Sequence, residues 1–224
     1  MFKKSLLVAA LLSASSLSIT AQASTVDLSY LSPNTAVATS VSVNSNALYT
    51  YIGSYNLSAS DATSMLVGFC VDPFQFASST PTSYQSSALE AADFISGDAA
   101  NRFANAQKLF DNAYASLSGA EQTAGFHLAL WEIFHDDLNT TSGIISGLGV
   151  SDTGMLAAAN TYLSALNGWN TTGAYDLTFY GSAEQQDFLV ATPSAVPVPA
   201  ALPLLASGLL GFGVVRRRHK SNSV

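Results

Sequence analysis

Cys70 is the only cysteine in the chain and sits in the run Phe69-Cys70-Val71-Asp72. A histidine heads a second segment, His127-Leu128-Ala129-Leu130-Trp131-Glu132-Ile133. A thiolate and an imidazole are the nucleophile and general base of cysteine hydrolases, with a carboxylate to orient the ring. Cys70, His127 and either Asp72 or Asp136 would supply those parts. The same residues also have a purely structural use. A lone cysteine is commonly a small buried hydrophobe, and a histidine on an apolar helix is commonly a hydrogen-bonded core residue. His127 lies in a segment that is apolar on nearly all helical faces, which favours the core. The chain therefore reads as no enzyme. A Cys70/His127 hydrolase or transferase, with Asp72 as its third member, is the minority reading.

The remaining polar residues narrow the chemistry further. One cysteine excludes an intrachain disulfide and any multi-cysteine metal cluster. His135-Asp136-Asp137 is a run of ligand types without a second cluster to complete it, so it reads as a solvated helix end. Glu90 and Asp93 stand three apart on one expected helix, and Glu121 and Glu132 lie on another. Paired-carboxylate glycosidase chemistry needs these to share a cleft. No Gly-rich phosphate loop, nucleophile elbow or EF-hand loop is present. No cofactor and no resident metal are expected.

The chain has 224 residues and a net charge of −7. Between Ser24 and Ala195 the only strong cations are Arg102 and Lys108, against all fifteen acids, a net −13. That surface repels phosphate backbones and excludes nucleic acid as a partner, while it attracts divalent ions such as calcium. Hydrophobic residues at 48% argue against disorder.

The elements that must position Cys70 and His127 follow from periodicity. Val37, Thr39, Val41 and Val43 alternate with small residues, and Tyr49 and Tyr51 flank Thr50, both strand patterns. Gly53 and Asn56 suggest a turn. Met65 to Val71 reads as a short buried strand carrying Cys70. Helices are expected over Ser87 to Phe94 and Ala99 to Leu117. Ser118 can cap a third, with Glu121 at the capping-box position. That helix, through Phe126, Leu130, Trp131 and Phe134, should be central and buried. Asp152 to Leu166 is a fourth, closed by Asn167-Gly168. Strands return at Tyr175 to Tyr180 and Asp187 to Ala191. The fold class is α+β, β-rich at both ends around a central group of helices, with a C-terminal transmembrane helix in addition.

Both termini read as addresses. Lys3 and Lys4, the uncharged run Ser5 to Ile19 and the small-x-small site Ala21-Gln22-Ala23 form a secretory signal peptide over residues 1–23. The body is expected over residues 24–191, and a linker and sorting segment over 192–224. Val196 to Val215 carries no charge, and its twenty residues at about 1.5 Å each match a bilayer core of roughly 30 Å. Arg216-Arg217-Arg218-His219-Lys220 follows, and such a basic flank stays cytoplasmic.

This tail resembles the PEP-CTERM sorting signal, the substrate of exosortases in Gram-negative bacteria. The resemblance rests on Val196-Pro197-Val198-Pro199, the apolar span, and the cluster Arg216, Arg217 and Arg218. Val198 stands where the family has its name-giving glutamate. The resemblance implies export by the Sec machinery, transient residence in the inner membrane, cleavage near the motif by an exosortase, and delivery to the cell surface or extracellular matrix. The body loosely resembles the TQXA-type thioester domains of bacterial surface adhesins over Phe69 to Ile133. Cys70 matches the thioester cysteine and Trp131 the tryptophan, while His127 stands where the family places its acyl-donor glutamine. Imidazole has no acyl carbon, so the resemblance implies the frame without the bond. The function these features imply is a structural or adhesive protein of the cell surface, exopolysaccharide or biofilm, with polysaccharide as a contact. The alternative is a secreted Cys/His-dependent enzyme or a thioester-type adhesin.

Overall fold

A computed structural model describes residues 24–89, 98–146 and 153–195. Within them lie seven strands: β1 (Ser24–Val43), β2 (Asn46–Ala59), β3 (Leu66–Cys70), β4 (Thr82–Ala88), β5 (Ile145–Ser146), β6 (Tyr175–Gly181) and β7 (Phe188–Pro193). Three α-helices accompany them: α1 (Ala99–Ala113), α2 (Gly119–His135) and α3 (Thr153–Ala165). This is the expected α+β class, with strands early and late and helices between. The sheet is antiparallel in every pairing, in the order β2-β3-β7-β6-β4-β1-β5. Because β1 also pairs with β2, six strands close on themselves and leave no open edge between those two.

Two bulges allow β1 to serve both neighbours. The first residues of β1 pair with β4 and the rest with β2, with register shifts between Tyr30 and Ser32 and between Pro33 and Ala36. At the second shift Asn34 and Thr35 oppose the single residue Ser54, a bulge that re-aims the strand. The Ser54 hydroxyl fills it, accepting from Asn34 Nδ2 (3.2 Å) and the Thr35 amide (3.3 Å). Gly53, next in β2, has φ +149°, and a Cβ there would fall 2.2 Å from the Thr35 carbonyl oxygen. Only glycine permits that approach.

Gly53 therefore serves inside a strand, and the turn expected at Gly53 and Asn56 lies elsewhere. The chain reverses at Asn44 and Ser45, both at positive φ (50° and 62°), the backbone of a tight hairpin. Ser87 and Ala88 end β4 instead of opening a helix; the remainder of that expected helix, with Glu90 and Asp93, falls largely outside the described residues. Ser118 does precede α2, but its hydroxyl makes no bond to the helix backbone. Its amide and hydroxyl both donate to Gln122 Oε1 (3.0 and 3.2 Å), so Gln122 does the work expected of Glu121. β7 runs past the expected boundary at residue 191, with Thr192 opposite Asp176 and Pro193 opposite Tyr175.

Helix α2 is the centre of the molecule. From Thr123 to Phe134 every residue is buried, and the helix packs on β1, β2, α1 and α3. Gly125 lets α3 close on it, since a Cβ there would lie 2.5 Å from Ala158 Cβ. Phe69 of β3, Phe110 of α1 and Phe126 of α2 meet with ring centroids 4.9–5.9 Å apart, joining strand layer to helices. Among the described residues no helix is long and apolar enough to cross a membrane. The segments read as signal peptide, with Ala21 and Ala23, and as sorting signal, with Val196, Pro197, Pro199 and Arg216 to Arg218, lie outside the described residues.

Candidate functional site

The fold brings Cys70 and His127 together, from the end of β3 and the middle of α2. Both are fully buried. Contact runs through the main chain. The Gly53 amide donates to His127 Nδ1 at 2.8 Å, which makes Nδ1 the acceptor and leaves the ring proton on Nε2. Nε2 then donates to the Cys70 carbonyl at 2.7 Å, and the Trp131 indole N–H donates to the same carbonyl at 3.0 Å. The thiol donates instead to the Asp72 carbonyl at 3.4 Å. Burial holds the His127 pKa down to about 4, and burial, with Asp72 nearby, pushes the Cys70 thiol well up.

A general base needs a free lone pair on its ring, and a nucleophile needs access. His127 has committed both nitrogens to backbone, and Cys70 has neither exposure nor a lowered pKa. Neither candidate orienting carboxylate reaches the ring. Asp72 Oδ1 accepts from the Phe74 amide at 2.8 Å and shapes the loop after β3, and Asp136 Oδ2 accepts from the Ile145 amide. The arrangement locks β2 and β3 to α2.

That lock has a consequence at the surface. The loop after β3 is pinned by Val71 N–H to the Asp187 carbonyl (2.9 Å), by Gln186 Nε2 to the Asp72 carbonyl (3.2 Å), and by His135 Nε2 to the Val71 carbonyl. Phe74 stacks edge-on against His135, centroids 5.5 Å apart. Beside this loop opens a cleft of about 160 Å³, with Tyr30, Tyr51, Tyr55, Gln75, Phe76 and Trp131 among its walls. Phe76 is 79% exposed and Tyr51 48% exposed at its mouth. Tyr49, two residues before Tyr51 and so on the same strand face, is 72% exposed. Gln75 lines the cleft, and its Oε1 is buried without a hydrogen-bond partner among the described residues.

The sequence pointed to Tyr49 and Tyr51 only as strand residues, and nothing in it singled out Phe76. The available signal was two large aromatics recurring on one face of a strand, where a solvated face would be polar. His135, Asp136 and Asp137 do lie at the end of α2, but His135 faces the loop after β3 and the two aspartates face the chain beyond the helix. Glu121 and Glu132 do not share the cleft; Glu121 abuts Gly154 of α3. No known family, curated protein or solved structure matches the chain.

Proposed function

We propose that the chain is an exported, non-catalytic protein of the cell surface or exopolysaccharide layer. Its tail is processed by an exosortase, and its body contacts polysaccharide through the aromatic cleft. The cleft is the observation that carries this reading. Pyranose rings present C–H faces that pack on aromatic side chains, and their hydroxyls need fixed polar partners. Tyr51 and Phe76 at the mouth offer the first, and the tyrosine hydroxyls and the Gln75 amide lining the cleft offer the second. At about 160 Å³ the cleft suits one ring of a longer chain better than a whole drug-sized molecule, which takes roughly 300 Å³ or more.

No Asp or Glu lines the cleft among the described residues, so the site suits binding rather than paired-carboxylate hydrolysis. The −13 charge of the body favours a neutral sugar over a uronic acid. The closeness of residues 70 and 127 supports a body on a thioester-domain-like frame, with the bond-forming glutamine replaced by a structural histidine. Affinity electrophoresis of the full-length chain through gels containing neutral or acidic polysaccharide tests the reading. Retardation by a neutral polymer, weakened at least tenfold in Tyr51→Ala and Phe76→Ala, is expected. Unretarded migration in every polymer, or retardation unchanged by both substitutions, would sink it. For the tail, intact mass of the protein from its own cells should show an end near Val196 to Pro199.

A further inference from the structure

A second site lies at the C-terminal end of α2, apart from the cleft. Glu132 and Asp136 are one helical turn apart, and Asp137 follows where the helix ends. One carboxylate oxygen from each lies within 4.8 Å of the others. Three carboxylates this close repel one another, which a proton held on one of them or a bound cation relieves. Each uses one oxygen to hold the following loop. Glu132 Oε2 accepts from the Asn139 amide (3.1 Å), Asp137 Oδ2 from the Ser142 hydroxyl (3.0 Å), and Asp136 Oδ2 from the Ile145 amide. Gly143, at φ +85°, lets that loop close over Asp136, since a Cβ there would meet Asp136 Oδ1.

Glu132 is the independent pointer to a ligand. Its residue exposure is 0%, and its Oε1 is buried with no hydrogen-bond partner among the described residues. A carboxylate rarely sits in a protein interior with an oxygen unsatisfied. Among the described residues the strong cations are Arg102 and Lys108; Arg102 lines the adjoining cavity, but its guanidinium donates to the Ile133 carbonyl at 2.8 Å. That cavity, about 210 Å³ and bordered by Asn101, Asn105, Asp136 and Asp137, gives room for water ligands.

We propose that Glu132, Asp136 and Asp137 form a calcium-binding site that fastens the 136–146 loop to the end of α2. Donor type narrows the ion to the hard cations, and calcium accepts an irregular, partly hydrated oxygen shell where magnesium demands a strict octahedron. All-oxygen, anionic donors exclude the softer metals. The ion sits between three carboxylates, and water from the cavity completes its shell. It leaves the three loop-holding hydrogen bonds in place.

The test is calorimetric titration of calcium into chelator-treated full-length chain, with melting temperature followed in parallel. Expected are a dissociation constant of about 10⁻⁴ to 10⁻³ M, as in other extracellular modules, and a melting temperature raised by about 3–10 °C in 10 mM calcium. Glu132→Gln and Asp137→Asn should each weaken binding at least tenfold. Asp137 is exposed, so the second variant folds whatever the first does. No calcium uptake by the folded wild-type chain would overturn the proposal. So would unaltered affinity in Asp137→Asn, or equal stabilisation by magnesium.

Discussion

Replacing His127 tests the account of the protein's centre most severely, because the geometry assigns it two separable contributions. The first is packing and hydrogen bonding. The ring is fully buried between Trp131, Phe69 and Tyr55, with centroids at 4.6, 5.7 and 5.9 Å. In His127→Phe a somewhat larger ring fills the site, which adds some overpacking but leaves no cavity, and the Cys70 carbonyl keeps the Trp131 donor at 3.0 Å. The Gly53 amide alone loses its partner, at a cost of about 1–3 kcal/mol. In His127→Ala a cavity is added to that loss, and the sum rises to about 4 kcal/mol or more. The second contribution is protonic. Burial holds the His127 pKa near 4, against 6.5 for the free ring. Below pH 6.5 the unfolded chain takes up a proton that the folded chain refuses until pH 4. Stability is thus fully present above pH 6.5 and is lost as pH falls to 4, by about 3 kcal/mol in all. Glu132, whose carboxyl burial and then Asp136 push up to about 8, titrates in the opposite sense. It is common to wild type and variant, so the difference between their pH curves isolates the histidine. Urea unfolding from pH 4 to 8 in chelator measures both contributions. The wild-type advantage over His127→Phe should shrink steadily from pH 6.5 downward. Parallel curves, or a His127→Phe chain as stable as wild type at pH 7, would refute the assignment of both ring nitrogens to the backbone.

Three further outcomes follow from the packing and hydrogen bonding of the body. Gly125→Ala should destabilise by about 1–3 kcal/mol in urea, despite alanine's better helix propensity, because the new methyl meets Ala158 at 2.5 Å. Iodoacetamide at neutral pH should leave the intact mass of the native chain unchanged and add one group only after denaturation, since Cys70 is buried with a raised pKa; rapid labelling of the native protein would contradict this. Asp111 gathers the amides of Thr172, Gly173, Ala174 and Tyr175 at 2.6–3.3 Å. Asp111→Ala should therefore cost about 1–3 kcal/mol, read as a lower urea midpoint.

What the sequence made legible is what local periodicity encodes. Alternation over residues 37–43 and the helical spacing of Phe103, Ala106, Leu109 and Phe110 each describe an element that buries one face, and the short apolar run at β3 describes a strand buried on both. The all-round apolar character of residues 123–134 placed α2 at the centre, and it is there. Pairing across the sheet was not legible. Closure of six strands depends on the two bulges in β1, and a bulge is one residue more on one strand than on its partner. Nothing in Asn34, Thr35 or Ser54 taken alone announces that mismatch. Gly53 misled for a related reason. A glycine permits a turn and permits close approach of two strands equally well, and only the partner at Thr35 decides between them.

The two candidate sites divide along the same line. Glu132, Asp136 and Asp137 sit within six consecutive residues, so their closeness was readable as helical geometry. What the calcium proposal turns on, a Glu132 Oε1 without a partner among the described residues, depends on burial beneath a loop and was not. The cleft is the harder case, because its walls come from β1, β2, the loop after β3 and α2. No spacing in the chain relates Tyr30 to Gln75 or Trp131. They meet because His127 holds two strands to the helix through main-chain groups, and main-chain groups carry no sequence signature. A histidine that looks catalytic beside a cysteine is thus better understood as the fastener that holds the cleft open a few residues away. On the proposed polysaccharide-binding function, substitution of His127 should weaken binding in step with stability, whereas substitution of Tyr51 or Phe76 should weaken binding alone.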